Sequence, residues 1–372
     1  MRLQGFAGPT YTSRSPNADA QRAINFFPER VESGHGVNEF YLLGTPGLTV
    51  FALLSEKPVK ALFGEDSRLF AVAGTGFYEI TSAGDVTRYG TMASDANPAT
   101  ITSNGVGGFQ LLICSGGSGY IFNLTTSAFQ QITDAAAPAV FTMGGFLDGY
   151  FVVADTVNNK FHLSDLNNGL SWSGFNVGQR VHSSDPLRAM IIDHREIWFQ
   201  GEQKTEVWFN SGNASFPFQP VQGTYIEDGT AAPWSLVQLD NSIYWLQADE
   251  RGAGVAMRAN GYTPQRVSDH STEQFWKKYS SISDAIGYGY QDHGHSFWVL
   301  YFPQGDVHWV YDVSVGQWHE RAFWLRDECK WIPHMSRCHA YSFAKNLVGD
   351  RQSGAIYEMS LDLLTDNVVY PG

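Results

Sequence analysis

Alternating apolar and polar positions between residues 283 and 321 predict four short strands separated by three turns. Together the strands are rich in Val, Tyr, Phe and Trp, and each turn contains Gly, Pro or Asp. The predicted strands are 285–290, 296–302, 307–312 and 317–321. A single sheet of this kind leaves two faces and two edges exposed, so it needs similar sheets to pack against.

The same four-segment pattern recurs along the chain at spacings of about 40 to 55 residues, close to the length of a propeller blade. The repeats cover 60–89, 99–133, 138–175, 187–222, 234–267 and 283–321, and 338–359 supplies three further segments. Six full units and one incomplete unit predict an all-β fold, a seven-bladed β-propeller over residues 38–360. Six blades are the second choice.

The incomplete unit needs one more strand, because a ring with a missing strand would leave unpaired edges at its seam. We expect an N-terminal strand, 39–43 or 48–53, to close the last blade. Its contacts with 340–343 and 356–359 would join the two ends of the ring. The residues expected to close the ring are Phe40, Tyr41, Leu48 and Phe51.

Residues 1–37 form a predicted extended N-terminal arm, and 361–372 a C-terminal tail. Gly and Pro interrupt the arm, and four arginines make it locally basic. Residues 18–27 fit a short helix capped by Asn17 or Asp19 and ended by Pro28. The arm is expected to lie outside the disc, as a mobile tail or as a segment that orders against a partner. Ser271 and Gln274 have a capping-box spacing that predicts a second short helix at 271–279.

Composition supports a large folded core, since the 372 residues are 43% hydrophobic and 16% charged. The net charge of −13 disfavours a protein that grips nucleic-acid phosphates over a broad surface. No signal peptide or apolar run of membrane-spanning length is visible, so no membrane partner is expected. Three cysteines, an odd number, favour folding in a reducing compartment.

Candidate chemistry is sparse. Residues 165–172 (DLNNGLSW) resemble the Asp-box hairpin of sialidase-like propellers, which is a structural element. The set Cys329, His334, Cys338 and His339 has ligand types for zinc but not the usual paired spacing. His293 and His295 fit a solvated hairpin better than a metal site. Most of the candidate acids fall at turns, so we predict no catalytic residues, no metal, no cofactor and no enzyme.

Residues 283–321 resemble the tail-hub proteins of short-tailed bacteriophages, also called packaged-DNA stabilisation or tail nozzle proteins. The resemblance rests on SDAI at 283–286, GH at 294–295, FP at 302–303, WVYD at 309–312 and GQWHER at 316–321. Three other stretches resemble the same family. They are SPNADAQR at 15–22 with IN at 24–25 and PE at 28–29, GTPGL at 44–48, and NLVGDR at 346–351 with IYE at 356–358.

The resemblance implies a virion structural protein of the tail, assembled in the host cytoplasm. It implies a homo-hexameric tube below the portal-adaptor protein that also meets tail needle, tailspike or fibre proteins. Double-stranded DNA would pass through it without sequence readout and would be retained behind it. We expect an arm interface with a neighbouring subunit or the adaptor through Arg14, Asn17, Gln21, Arg22, Asn25 and Phe27.

Two other function classes stay open at this point. One is a propeller glycosidase or lyase acting on cell-surface polysaccharide, which needs convergent carboxylates or arginines at the central mouth. The other is a carbohydrate- or protein-binding propeller. Family members generally continue past the last blade, whereas this sequence stops at Gly372, so a short member and a truncated sequence are alternatives.

Overall fold

The computed structural model describes residues 10–12, 20–31, 40–224, 226–249 and 251–369, with Ala20 described by its backbone alone. Antiparallel sheets dominate these residues. Five strands precede the first blade. They are β1 (Tyr11–Thr12), β2 (Ala20–Gln21), β3 (Phe26–Arg30), β4 (Phe40–Gly44) and β5 (Gly47–Leu53).

Blades one to four are four-stranded meanders. Blade one contains β6 (Val59–Glu65), β7 (Arg68–Ala73), β8 (Gly76–Ile80) and β9 (Val86–Thr91). Blade two contains β10 (Thr100–Ser103), β11 (Gln110–Ser115), β12 (Ser118–Asn123) and β13 (Phe129–Gln131). Blade three contains β14 (Met143–Leu147), β15 (Tyr150–Asp155), β16 (Lys160–Asp165) and β17 (Asn168–Gly178). Blade four contains β18 (Leu187–Asp193), β19 (Glu196–Gly201), β20 (Thr205–Asn210) and β21 (Phe218–Pro220).

The last three blades differ from one another in strand number or chain order. Blade five contains β22 (Val237–Leu239), β23 (Ser242–Ala248), β24 (Gly254–Asn260) and β25 (Thr263–Arg266). Blade six contains β26 (Ile286–Asp292), β27 (His295–Phe302), β28 (Val307–Asp312), β29 (Gln317–Leu325) and β30 (Lys330–Pro333). Blade seven contains β31 (Ser336–Ser342), β32 (Lys345–Asp350), β33 (Ala355–Ser360) and the early strand β5.

The first strands of the blades form a ring in the part of the chain that the structure describes. β6, β10, β14, β18, β22, β26 and β31 each contact the next, and β31 contacts β6 again. A buried apolar cluster lies between every pair of neighbouring blades, including blades seven and one. The predicted seven-bladed β-propeller is therefore confirmed.

The ring closes through β5, which pairs antiparallel with β33 in the register Leu48↔Met359. Of the two predicted closing segments, 48–53 matches β5, whereas β4 pairs with β3. β5 pairs with β33, and β31 lies at the other side of the sheet, so β5 makes no strand pairing with 340–343. The predicted contact with that segment is made by side chains, because Phe51 stacks on Phe343. Residues beyond blade seven continue the pairing, because Asn367 N donates to Leu48 O at 2.7 Å.

Most blades turn between their first two strands through two residues with positive φ, the geometry of a tight antiparallel hairpin. Asp148-Gly149 and Asp240-Asn241 use residues that tolerate this conformation. Phe343-Ala344 adopts φ of 56° and 57° without such a residue. The hairpin of blade seven therefore forms against local preference, and its flanking strands determine its geometry.

Two helix predictions need correction. The predicted helix at 18–27 is wrong, because Ala20–Gln21 and Phe26–Arg30 are strands and Pro28 lies within β3, opposite Leu42. A helix does form between blades five and six, α1 (His270–Trp276). Asp269 caps it, not Ser271, since Asp269 Oδ1 accepts from Thr272 N at 2.7 Å.

Candidate assembly surface and central tunnel

The arm lies along the outer edge of blade six. Thr10 N donates to Trp318 O at 3.1 Å, Glu320 N donates to Ala23 O at 3.2 Å, and Asn25 N donates to Glu320 O at 2.9 Å. These bonds pair the first half of β29, and β30 pairs its second half from Ala322 to Leu325. The edge of β29 is therefore covered along its length, which removes a site for unwanted strand pairing.

Side chains of the arm fasten it to the same strand. Arg22 donates to both carboxylate oxygens of Glu320 at 2.8 and 2.7 Å, and this pairing raises the pKa of Arg22. The side chain of Asn25 donates to Ala322 O at 2.7 Å and accepts from Ala322 N at 2.9 Å. Asn25 has φ of 58°, a conformation that Asn tolerates better than most residues.

Phe27 is fully buried in the cluster between blades six and seven. Its ring centroid lies 5.2 Å from that of His295, 5.3 Å from Phe297 and 5.8 Å from His319. Phe27 was predicted to dock on another subunit and, with the rest of 1–36, to lie outside the disc. Both predictions are wrong for this residue, because its side chain is fully buried within its own chain. The neighbouring Phe26 faces outward and is 49% exposed.

The other predicted arm residues divide into two groups. Gln21 lies in β2, opposite Tyr11, and Arg22 and Asn25 contact blade six of their own chain. Their contact with a neighbouring subunit stays a prediction. Arg14 and Asn17 lie outside the described residues.

The four predicted ring-closure residues lie in two different strands. Leu48 is buried in β5, and the ring of Phe51 stacks on Phe343 with centroids 6.1 Å apart. Phe40 and Tyr41 lie in β4, opposite Arg30 and Glu29 of β3. They therefore join the arm hairpin, and the seam contacts come from Leu48 and Phe51.

Blade six carries an additional hairpin, β29–β30, that the sequence pattern did not predict. Trp324 and Trp331 face each other across it with ring centroids 5.0 Å apart, and they are 41% and 45% exposed. Exposed tryptophans on a polar surface are typical of protein contact sites. Trp324 and Trp331 lie at equal distances from the turn, and this spacing was the feature of the sequence that could have indicated the hairpin.

Three histidines, His308, His319 and His334, are buried. The ring centroids of His308 and His334 lie 5.9 Å apart, and His319 packs against Phe27 and Phe297. His308 Nε2 contacts Ser336 O at 2.7 Å, and His334 Nδ1 contacts Ser336 Oγ at 2.8 Å. Burial holds the pKa of His308 and of His319 well below the usual range and lowers the pKa of His334 to about 3. The three rings are therefore neutral near pH 7 and act as packed polar rings.

Arg321 is buried in the same region with 1% exposure. Its guanidinium carbon lies 5.2 Å from the ring centroids of both Tyr290 and Phe297, and it donates to the Tyr290 hydroxyl. Burial raises the pKa of Tyr290, so this hydroxyl stays protonated. Cation–π contacts therefore hold a charge within the apolar interface of blades six and seven.

The predicted candidates for chemistry are dispersed. Cys329 is exposed, His334 is buried, and His339 Nε2 contacts Asn346 Oδ1 at 2.9 Å. His293 and His295 contact separate carboxylates, Asp292 and Asp312. Within the described ranges, no three His, Cys, Asp or Glu side chains are grouped to hold a metal ion.

The Asp-box-like segment forms a hairpin between β16 and β17, with Asp165 opposite Asn168. Ser171 Oγ donates to Asp165 Oδ2 at 2.6 Å, and Trp172 Nε1 donates to Gly169 O at 2.9 Å. The segment therefore stabilises its own turn, as a structural hairpin does.

The first strands of the blades surround a central tunnel containing a cavity of about 320 Å³. Its wall includes apolar side chains, among them Met143, Met190 and Tyr288, together with the cations Lys60 and Arg337. Of the described residues in this wall, none is Asp or Glu. The paired carboxylates that a glycosidase needs are not part of that wall.

Solved structures with the same fold include virginiamycin B lyase from Staphylococcus aureus, with a TM-score of 0.56 and 10% identity over 85% of this chain and 99% of that one. The extracellular domain of BT4673 from B. thetaiotaomicron has a TM-score of 0.55 and 12% identity over 88% of this chain and 44% of that one. PorZ from Porphyromonas gingivalis has a TM-score of 0.51 and 10% identity over 87% of this chain and 40% of that one. No curated protein matched the chain.

These neighbours and the closed ring place the chain among the β-propeller proteins. A family model described as Bacteriophage P22 Gp10, beta-propeller, of the phage stabilisation family, matches residues 6–363. The chain belongs to this family, as its sequence motifs predicted. It is a bacteriophage structural protein associated with the virion. In the part of the chain that is described, no helix is long and apolar enough to cross a membrane.

Proposed function

We propose that this protein forms the tail hub or nozzle below the portal and its adaptor, where it conducts and retains packaged DNA. The family match carries this proposal, since it extends over residues 6–363 and so includes the arm, the seven blades and the strand that closes them. In support of this proposal, the arm is hydrogen-bonded to blade six and β5 closes the ring, so both ends of the chain are held on the propeller.

The DNA channel would lie between subunits and not inside the propeller. The cavity in the propeller tunnel is about 320 Å³, a volume suited to a small molecule and far too small for a duplex. A homo-hexameric ring of propellers would instead enclose the DNA in a channel at the centre of the ring. The net charge of −13 suits such a wall, because like charge lets phosphates slide without adhering.

The β29–β30 hairpin is the surface that we assign to subunit or adaptor contact. Its two half-exposed tryptophans, Trp324 and Trp331, offer rigid apolar area next to the fastened arm. Tail needle, tailspike or fibre proteins would bind elsewhere on the assembled hub.

A conditional nonsense mutation in the gene for this protein tests the role. We expect particles that package DNA normally and then release it, measured as nuclease-sensitive genome in purified particles. We also expect six copies per tail by mass measurement. Particles that hold their DNA without this protein would refute the retention role, and a monomer or dimer in the tail would refute the ring.

A further inference from the structure

Two buried cations lie side by side in the wall of the central tunnel, near the starts of neighbouring first strands. Lys60 is the second residue of β6, and Arg337 is the second residue of β31. They are 1% and 7% exposed. Lysine and arginine are almost never buried to this degree unless they are paired.

Both residues occupy the same unusual backbone position. The register of β6 with β7 shifts between Val59 and Ala61, and that of β31 with β32 shifts between Ser336 and Cys338. Lys60 and Arg337 are therefore the extra residues of β-bulges, which leave the ladder locally and redirect a side chain. Two bulges at matching positions of adjacent blades bring two positive charges together.

The protein supplies few acceptors for these donors. Lys60 Nζ donates to Ser94 Oγ at 3.3 Å and to Asp95 Oδ1 at 3.2 Å, and Arg337 Nη2 donates to Ala96 O at 2.8 Å. The two side chains carry eight N–H donors between them. Arg337 Nε is buried and has no hydrogen-bond partner among the described residues.

The local charge is also unbalanced. Asp95 is the carboxylate that lies beside both cations, and its side chain is 40% exposed and also accepts from Asn97. Burial lowers the pKa of Lys60 and of Arg337, and the charge of Arg337 lowers the pKa of Lys60 further. Two cations and one carboxylate leave one uncompensated positive charge, although the whole chain carries −13.

We propose that this part of the tunnel binds one small tetrahedral oxyanion of the phosphate type per chain, held by Lys60 and Arg337. The cavity of about 320 Å³ beside them has ample room for such an ion. The burial of both cations strengthens a charge-assisted hydrogen bond relative to one in water. The site extends beyond the proposed hub function and does not depend on it.

A simpler role for the two cations is to fasten the loop at 92–99, which carries Ser94, Asp95 and Ala96. That role uses three of the eight donors and leaves the positive charge uncompensated. The two roles predict opposite effects of neutralising Asp95. Removing a loop anchor would loosen the site, whereas removing a competing carboxylate would strengthen anion binding.

Calorimetric titration of the full chain with sodium phosphate, against sodium chloride at equal ionic strength, tests the proposal. The variants are Lys60→Met, Arg337→Met and Asp95→Asn. Arg188→Met is the matched control, because Arg188 is the extra residue of the corresponding bulge in β18 but is 46% exposed and paired with Glu202.

We expect one saturable phosphate site in the unaltered chain and in Arg188→Met, with affinities within twofold of each other. Lys60→Met and Arg337→Met should each weaken binding at least tenfold, the loss expected for a charge-assisted hydrogen bond. Asp95→Asn should tighten binding at least threefold. Because this variant keeps both buried cations, it still tests the proposal if Lys60→Met and Arg337→Met do not fold. Phosphate heats equal to those of chloride, or weaker binding in Asp95→Asn, would overturn the proposal.

Discussion

The pair Phe26 and Phe27 gives a direct test of whether the arm belongs to the folded core. The two residues are adjacent in β3 and point to opposite sides, one 49% exposed and the other fully buried. Phe27→Ala should lower the free energy of unfolding by about 3–5 kcal/mol, because truncation leaves a cavity among the rings of His295, Phe297 and His319. Phe26→Ala should cost about 1 kcal/mol or less.

Equilibrium unfolding in urea, followed by tryptophan fluorescence and by far-UV circular dichroism, measures both variants. Coincident transitions by the two probes would justify a two-state treatment of each variant. Equal urea midpoints for the two variants would refute the assignment of β3 to the core. A chain that lacks residues 1–36 loses Phe27, so it should be destabilised at least as much as Phe27→Ala.

Three further predictions follow from the seam, the histidines and the hairpin. Deleting residues 1–53 removes β5 and exposes the edge of β33, so the protein should aggregate in size-exclusion chromatography; a soluble monomer would show that the ring closes otherwise. The three buried histidines have folded pKa values below the unfolded value of about 6.5, so the unfolded chain binds more protons below that pH. The free energy of unfolding should therefore fall as the pH falls from 6.5 towards 4, by up to about 1.4 kcal/mol per pH unit for each of these histidines. Urea titrations measure this at several pH values, and a His334→Gln variant with the same pH slope as the unaltered protein would contradict it. Trp324→Ala with Trp331→Ala should change the free energy of unfolding by about 1 kcal/mol or less yet prevent incorporation into tails, whereas the exposed Leu166→Ala should incorporate normally. Normal incorporation of the double variant would remove the hairpin from the interface.

The blades were predictable because their signal is local. Alternation, turn residues and the repeat spacing identify the strands, and the missing strand of blade seven follows from counting. Long-range contacts account for the misses. Residues 18–27 have a helix-compatible composition, yet Asn25 and Phe27 find partners about 300 positions away, in β29. Local propensity does not contain that information.

The candidate sites were less predictable than the fold. Lys60 and Arg337 look like ordinary solvated cations at strand starts until the bulges and the ring bring them together. The Phe343-Ala344 turn, like His194-Arg195 in blade four, lacks the Gly, Asn or Asp that marks the corresponding turns of blades one, three, five and six. Trp324 and Trp331 were visible as residues, but their pairing requires the register of β29 with β30.

The origin of β5 near the start of the chain has a consequence for synthesis on the ribosome. Leu53 emerges long before its partner Ala355, about 300 residues later. At about 5–20 residues per second, this strand waits for roughly 15–60 s before blade seven can form. The ring therefore closes only after blade seven has been synthesised, and the nascent protein carries the unpaired strand β5 while about 300 further residues are translated.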